Sequence, residues 1–197
     1  VNARFKAQLQ LWRARKRRMG DAAVGHAGES HAEQADRISV HLRELTDDLF
    51  VDHALDFGCG WGRFSELLSA RCTHLWAADV FQDWVDRAVG IVPNATAVLM
   101  SDQRVRVDAG SMNAVFDIMT IQSIDNDTLA REAMCELRRI SAPGATVISL
   151  HIVKPRSPTR TASQRAAHMG LSKWSETLLS NVDKTGAEYS CLIGTRV

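Results

Sequence analysis

An α/β fold is what this sequence predicts: one central, mostly parallel sheet of six or seven strands, helices on both of its faces, and a helical extension at the N-terminus. Three observations carry the prediction. From His53 onward short apolar runs alternate with amphipathic helical stretches, the pattern of repeated βαβ units. Glycines and a Pro-Gly pair punctuate the joints between those runs. The chain has 197 residues, 45% of them hydrophobic, which suffices for one sizeable core.

In chain order, Phe5, Leu9, Trp12, Lys16 and Met19 recur at helical spacing, so the first twenty residues predict an amphipathic helix. It is a cationic one. The formal net charge is +1, and since residues 1–20 hold seven basic residues and no acid, the remainder stands at −6. Gly20, Gly25 and Gly28 lie among small and polar residues and predict a flexible joint. This divides the chain into a basic helix with its joint at 1–30 and an α/β domain at 31–197. The domain opens with a helix whose apolar face is Ile38, Leu42, Leu45 and Leu49. Strands follow at 53–57, 74–79, 95–100, 115–121 and 145–152, with helices at 62–71, 82–90 and 127–140 between them. Pro143-Gly144 turns the last of these helices into the fifth strand. Residues 154–170 carry Lys154, Arg156, Arg160 and Arg165 with no acid, and predict a basic loop or cover. A short helix near 172–182 and a strand near 187–195 close the domain.

No apolar run approaches the ~20 residues that span a bilayer, and the N-terminus lacks the apolar core of a secretory signal. Cys59, Cys72, Cys135 and Cys191 lie far apart and form no CxxC pair, so they read as reduced thiols of a cytoplasmic protein. No metal-ligand spacing is present.

Chemistry concentrates in Asp56-Phe57-Gly58-Cys59-Gly60-Trp61-Gly62-Arg63, a buried strand, a glycine turn and a helix start. Glycines there permit positive φ and let a ligand lie on bare backbone, while the amides of the next helix face it. A dinucleotide fingerprint would read GxGxxG, and its last position here is Arg63, which argues against an oxidoreductase.

At this point the sequence resembles the class I methyltransferases that use S-adenosylmethionine (SAM), whose first motif is an acid, one residue and GxGxG. Asp56 to Gly62 matches it at every defined position. Asp79, with Val80 beside it, ends the second strand, where the family binds both ribose hydroxyls through a carboxylate. Ser101-Asp102 follows the third strand, where the family often sets an acid near the adenine amino group. Val115 to Met119 resembles the fourth strand, whose far end, Gln122 and Ser123, borders the reacting methyl. Glu136 to Ile140 running into Ala142-Pro143-Gly144-Ala145 resembles the helix and turn before strand five. The resemblance covers 53–152 and implies a Rossmann-like fold binding SAM through Asp56, Gly58, Cys59, Gly60, Gly62, Asp79, Val80, Ser101, Asp102 and Gln122. Only one clear strand remains after residue 170, so the sheet is expected to fall one strand short of the family's usual end.

Such a methyl group arrives activated, so a base is needed only for an acceptor that must lose a proton early. His151, at the carboxyl end of the fifth strand, is the candidate base or acceptor-orienting residue, with His31 and Asp125 behind it. The basic N-terminal helix either packs its Phe5, Leu9 and Trp12 face on the domain or a partner, or contacts a polyanion. The leading expectation is methyl transfer to an O or N atom of a small metabolite, an anionic one being compatible with the two basic segments. Nucleic-acid methylation through residues 1–20 and 154–170 is the alternative, and a non-catalytic SAM-binding module a second. Oligomeric state is not encoded in any pattern seen.

Overall fold

The computed structural model describes residues 2–20, 31–153, 161–180 and 188–197. Helix α1 spans Ala3–Met19, capped by the Asn2 side chain, which accepts from Phe5 N at 2.7 Å. The joint expected after it falls on residues 21–30, outside the described residues. Helix α2 (His31–Leu45) then leads into β1 (Val51–Phe57), α3 (Ser65–Ser69), β2 (Cys72–Asp79), α4 (Gln82–Gly90) and β3 (Ala95–Leu99). Strand β4 (Met112–Ile118) and a 3-10 turn at Ile121–Ser123 precede α5 (Asp127–Ile140) and β5 (Ser141–Ile152). Helix α6 (Ala162–Met169), β6 (Leu171–Leu179) and β7 (Tyr189–Arg196) complete the described elements.

The seven strands form one sheet in the order β3-β2-β1-β4-β5-β7-β6. The pairings β1–β2, β1–β4, β2–β3 and β4–β5 are parallel, and β7 runs antiparallel to both β5 and β6. The expected mostly parallel sheet is therefore present, and it is complete. Each face is buried. Helix α5 presents Leu129, Ala133, Leu137 and Ile140 to one face, and Phe5 of α1 joins that same cluster. Ile38 and Leu42 of α2 and Leu68 of α3 cover the other face, with Val85 and Ala88 of α4 beside them against Ala77.

Several boundaries differ from the sequence expectation for identifiable reasons. Strand β4 ends three residues before the expected 121 because Asp117 Oδ1 accepts from Thr120 N and Ile121 N and bends the chain, with Met119 at φ 63°. Pro143-Gly144 does not separate α5 from β5. The helix stops at Ile140, and the strand takes up the pair as a bulge, with Ser141 opposite Met112 and Thr146 opposite Ala114. The basic stretch 154–170 is not all loop: a Thr161–Gln164 capping box starts α6, and residues 154–160 lie outside the described residues.

The helix expected near 172–182 is instead strand β6. An edge strand has one neighbour, and this one exposes all but its two end residues, so no alternation of buried side chains marks it in the sequence. Its fit is set by β7: a Cβ at Gly194 would lie 2.7 Å from Leu171 Cδ1 and 2.9 Å from Trp174 Cβ. The sheet is consequently not one strand short.

Candidate functional site

The chain crosses from one side of the sheet to the other between β1 and β4, and a cleft of about 160 Å³ opens outside their carboxyl ends. The loop after β1 forms its floor, the segment Asp79–Phe81 one wall and the turn Met119–Ser123 the other, while α1 contributes Trp12 and Arg15.

The floor is built by glycine. Gly58, Gly60 and Gly62 sit at φ 74°, 55° and 93°. A Cβ at Gly58 would fall 2.1 Å from the Thr120 methyl, and one at Gly62 would fall 2.8 Å from the Ala88 Cα of α4. Gly58 thus lets the wall after β4 close on the loop, and Gly62 lets α4 do so.

Two carboxylates lie at the base of the cleft. Asp79, 6% exposed, accepts from Gly60 N at 3.0 Å, Val80 N at 2.7 Å and Phe81 N at 3.1 Å. Burial nevertheless raises its pKa to about 6 against these hydrogen bonds. Asp56, 3% exposed, accepts from Ser65 Oγ at 2.8 Å, and burial raises it to about 7. Burial also pushes the Cys59 thiol well up, which disfavours a thiolate nucleophile. Arg63 enters the cleft with Nη1 donating to Gln34 Oε1 of α2 at 2.8 Å and its guanidinium 4.5 Å from the Phe64 ring centroid.

Behind the wall after β4 runs a buried polar chain. Asp117 Oδ2 accepts from Ser149 Oγ at 2.7 Å and meets His151 Nε2 at 2.6 Å. Arg165 of α6, fully buried, donates from Nη1 to the Ser149 carbonyl at 2.7 Å and to Ser149 Oγ at 3.0 Å; its Nη2 donates to Ser190 Oγ. Burial alone would raise Asp117, but the His151 charge and the hydrogen bonds to it hold its carboxyl below the usual range.

Helix α1 lies along the cleft and is fixed there by polar contacts. Trp12 Nε1 donates to the Ser123 carbonyl at 3.3 Å, Gln8 Oε1 accepts from Asp125 N at 3.0 Å, and Lys16 pairs with Asp83 while lying 4.6 Å from the Phe81 ring and 4.7 Å from the Trp84 ring. The periodic face Phe5, Leu9, Trp12 read from the sequence packs on the domain itself.

Of the residues singled out in the sequence, the structure brings Asp56, Gly58, Cys59, Gly60, Asp79, Val80 and Gln122 into the cleft. Gly62 packs beneath it against α4. Ser101 and Asp102 do not line it; Asp102 Oδ1 accepts from Asn2 N at the start of α1. His151 is 2% exposed and reaches Asp117 behind the wall; Asp125 is exposed, and the His31 side chain lies outside the described residues. Arg165, counted in the sequence among the cations of a basic loop or cover at 154–170, is fully buried and belongs to no surface. Sequence reasoning missed Gln103, Trp12, Arg15, Arg63 and Trp84 as lining residues. Gln103 stands next to a residue that was named; the α1 side chains carried a helical period but no signal of where that helix docks.

A family model described as a methyltransferase domain matches residues 54–144. No curated protein matches the chain in sequence. Among solved structures, the N-methyltransferase NodS from Bradyrhizobium japonicum WM9 in complex with S-adenosylhomocysteine superposes with a TM-score of 0.69 at 14% identity, over 99% of each chain. Phosphoethanolamine N-methyltransferase 1 of Haemonchus contortus, in complex with phosphoethanolamine and S-adenosylhomocysteine, gives 0.71 at 11% identity over 100% of this chain and 50% of that one. The [4+2]-cyclase SpnF gives 0.71 at 12% identity over 100% and 97%. At such identities the likeness establishes the fold, and the cyclase illustrates that the fold by itself does not dictate the reaction.

Proposed function

We propose that this chain, whose residues 54–144 match a methyltransferase-domain model, is a class I SAM-dependent methyltransferase, and that it methylates an N or O atom of a small acceptor bearing an anionic group. The observation that carries the proposal is the placement of α1. It lies across the cleft, is tied to Ser123, Asp125 and Asp83, and sets the Arg15 side chain in the lining. A small molecule fits such a cleft, and a guanidinium there favours a carboxylate or phosphate.

The lining suits SAM on its own chemistry. Bare backbone at Gly58 and Gly60 admits the donor, Asp79 offers acceptor oxygens to ribose hydroxyls, and Arg63 provides a cation for an amino-acid carboxylate. When bound, SAM supplies a methyl already activated on its sulfonium. The protein then aligns the acceptor, excludes water with α1 and Trp12, and lets the acceptor's proton leave to solvent. Among the described residues lining the cleft there is no histidine. His151 acts as a positioning residue, holding Asp117 and through it the turn Thr120–Ser123. The four free cysteines fit a reducing, cytoplasmic setting, and no described helix is long and apolar enough to cross a membrane.

A second reading has one observation in its favour: Arg4, Lys6, Arg13, Arg17 and Arg18 are exposed on α1, a footprint for a polyanion. Methyl transfer from labelled SAM to a metabolite pool and to RNA and DNA, with wild type and Arg15→Ala, tests both. The proposal expects labelled small anions and a KM raised about tenfold or more in Arg15→Ala. Label found in nucleic acid alone overturns it.

A further inference from the structure

After β3 the chain reverses tightly: Ser101 N donates to Arg104 O at 3.3 Å and Arg104 N to Ser101 O at 2.8 Å. The two central residues both have positive φ, 52° at Asp102 and 62° at Gln103, the arrangement of a type I′ turn. Glycine, asparagine and aspartate suit such positions; glutamine is an uncommon occupant. The turn is nonetheless held in place. Arg104 Nη1 pairs with Glu136 Oε2 of α5 at 2.6 Å, and Val105 N donates to Glu136 Oε1 at 3.0 Å.

This rigid turn gives its two central side chains different surroundings. Asp102 accepts from Asn2 N at 2.8 Å and is spent on the start of α1. Gln103 is 2% exposed, lines the cleft, and has an Nε2 with no hydrogen-bond partner in the protein. A buried amide N–H left without an acceptor opposes folding, and native proteins rarely keep one unless something outside the chain completes it.

We infer that Gln103 reads the adenine ring of the methyl donor through its side-chain amide, the role that the sequence resemblance assigned to Asp102. The inference rests on the SAM reading of this cleft. A carboxamide sets one donor beside one acceptor, and adenine shows the complementary pair, its 6-amino donor beside a ring-nitrogen acceptor. Two parallel hydrogen bonds follow. A carboxylate in this place would accept from the amino group but turn a second acceptor toward the lone pair of the ring nitrogen. The Gln103 amide is also neutral, so it adds no charge to a cleft whose lining already holds the carboxyls of Asp56 and Asp79.

The test is calorimetric binding of S-adenosylhomocysteine and of its analogue lacking the 6-amino group, to wild type, Gln103→Ala and Gln103→Gly. The wild type is expected to bind the analogue about tenfold more weakly than S-adenosylhomocysteine. Both variants should lose about tenfold for S-adenosylhomocysteine and bind the two ligands equally, because the partner of the amino group is gone. Gln103→Gly should also melt no lower than wild type, since glycine relieves the positive φ; affinity lost without stability lost separates contact with the base from support of the turn. Variants that keep wild-type affinity within about twofold, or that still discriminate against the analogue about tenfold, overturn the inference. A wild type that binds neither ligand sinks the methyl-donor reading itself, a different and visible failure.

Discussion

Gly58 and Asp56 show how much of the site is decided by single residues. At Gly58 two constraints coincide, a φ of 74° and a Thr120 side chain 2.1 Å from where a Cβ would stand. Gly58→Ala is expected to destabilise the protein by about 1–3 kcal/mol, read by urea unfolding, and to abolish S-adenosylhomocysteine binding as Thr120 is displaced from the wall. Asp56 carries a pH signature. Its pKa is raised from 3.8 to about 7 by burial, so the folded protein binds a proton more tightly than the unfolded chain does. The cost of ionising it is absent below pH 3.8, grows as pH rises, and is complete above about 7. Asp56→Asn should therefore raise the melting temperature of the ligand-free protein at pH 8 and have progressively less effect toward pH 4. An equal shift at both pH values would contradict this. The glycines and both acids were legible in the sequence because strand, turn and spacing recur together. Gln103 was not, since which of two adjacent side chains enters a cleft depends on the turn that carries them.

Helix α1 contributes Trp12 and Arg15 to the lining of the cleft, and its docking is a property of the element. Phe5 is 2% exposed in the core under α5, whereas Trp12 and Lys16 hold the helix by polar and cation–π contacts at the rim. Phe5→Ala is expected to cost about 3–5 kcal/mol of local docking energy, so that amides of α1 exchange much faster while those of β1 and β4 keep their protection. Uniformly accelerated exchange across the sheet would show instead that α1 is part of the global folding unit. The helix itself could be read from periodicity; its address could not, because an amphipathic face says that something is covered and not what covers it. Strand β6 illustrates the opposite limit. It is exposed along most of its length, so its strand character comes from hydrogen bonds to β7 and not from its own pattern.

At the level of the whole molecule, the chain Glu176–Ser190–Arg165–Ser149–Asp117–His151 ties β6, β7, α6, β5 and β4 together inside one face of the sheet. Removing its central cation leaves buried acceptors without donors. Arg165→Met is expected to cost about 3–5 kcal/mol by urea denaturation, despite the similar volume of the side chain. A loss below about 1 kcal/mol would mean that the apolar replacement compensates and that the network contributes order more than stability.

The sequence alone determined the α/β class, six of the seven strands and the glycine loop. These rest on local rules: apolar periodicity, positive φ at glycine and fixed spacing along consecutive elements. Only the tertiary structure decided that Arg165 is core, that Asp102 faces α1 while Gln103 faces the cleft, that β6 completes the sheet, and that the basic helix covers the site. Each of these depends on residues distant in the chain meeting in space. Burial and hydrogen-bond partners are fixed by that meeting, and no local pattern encodes them.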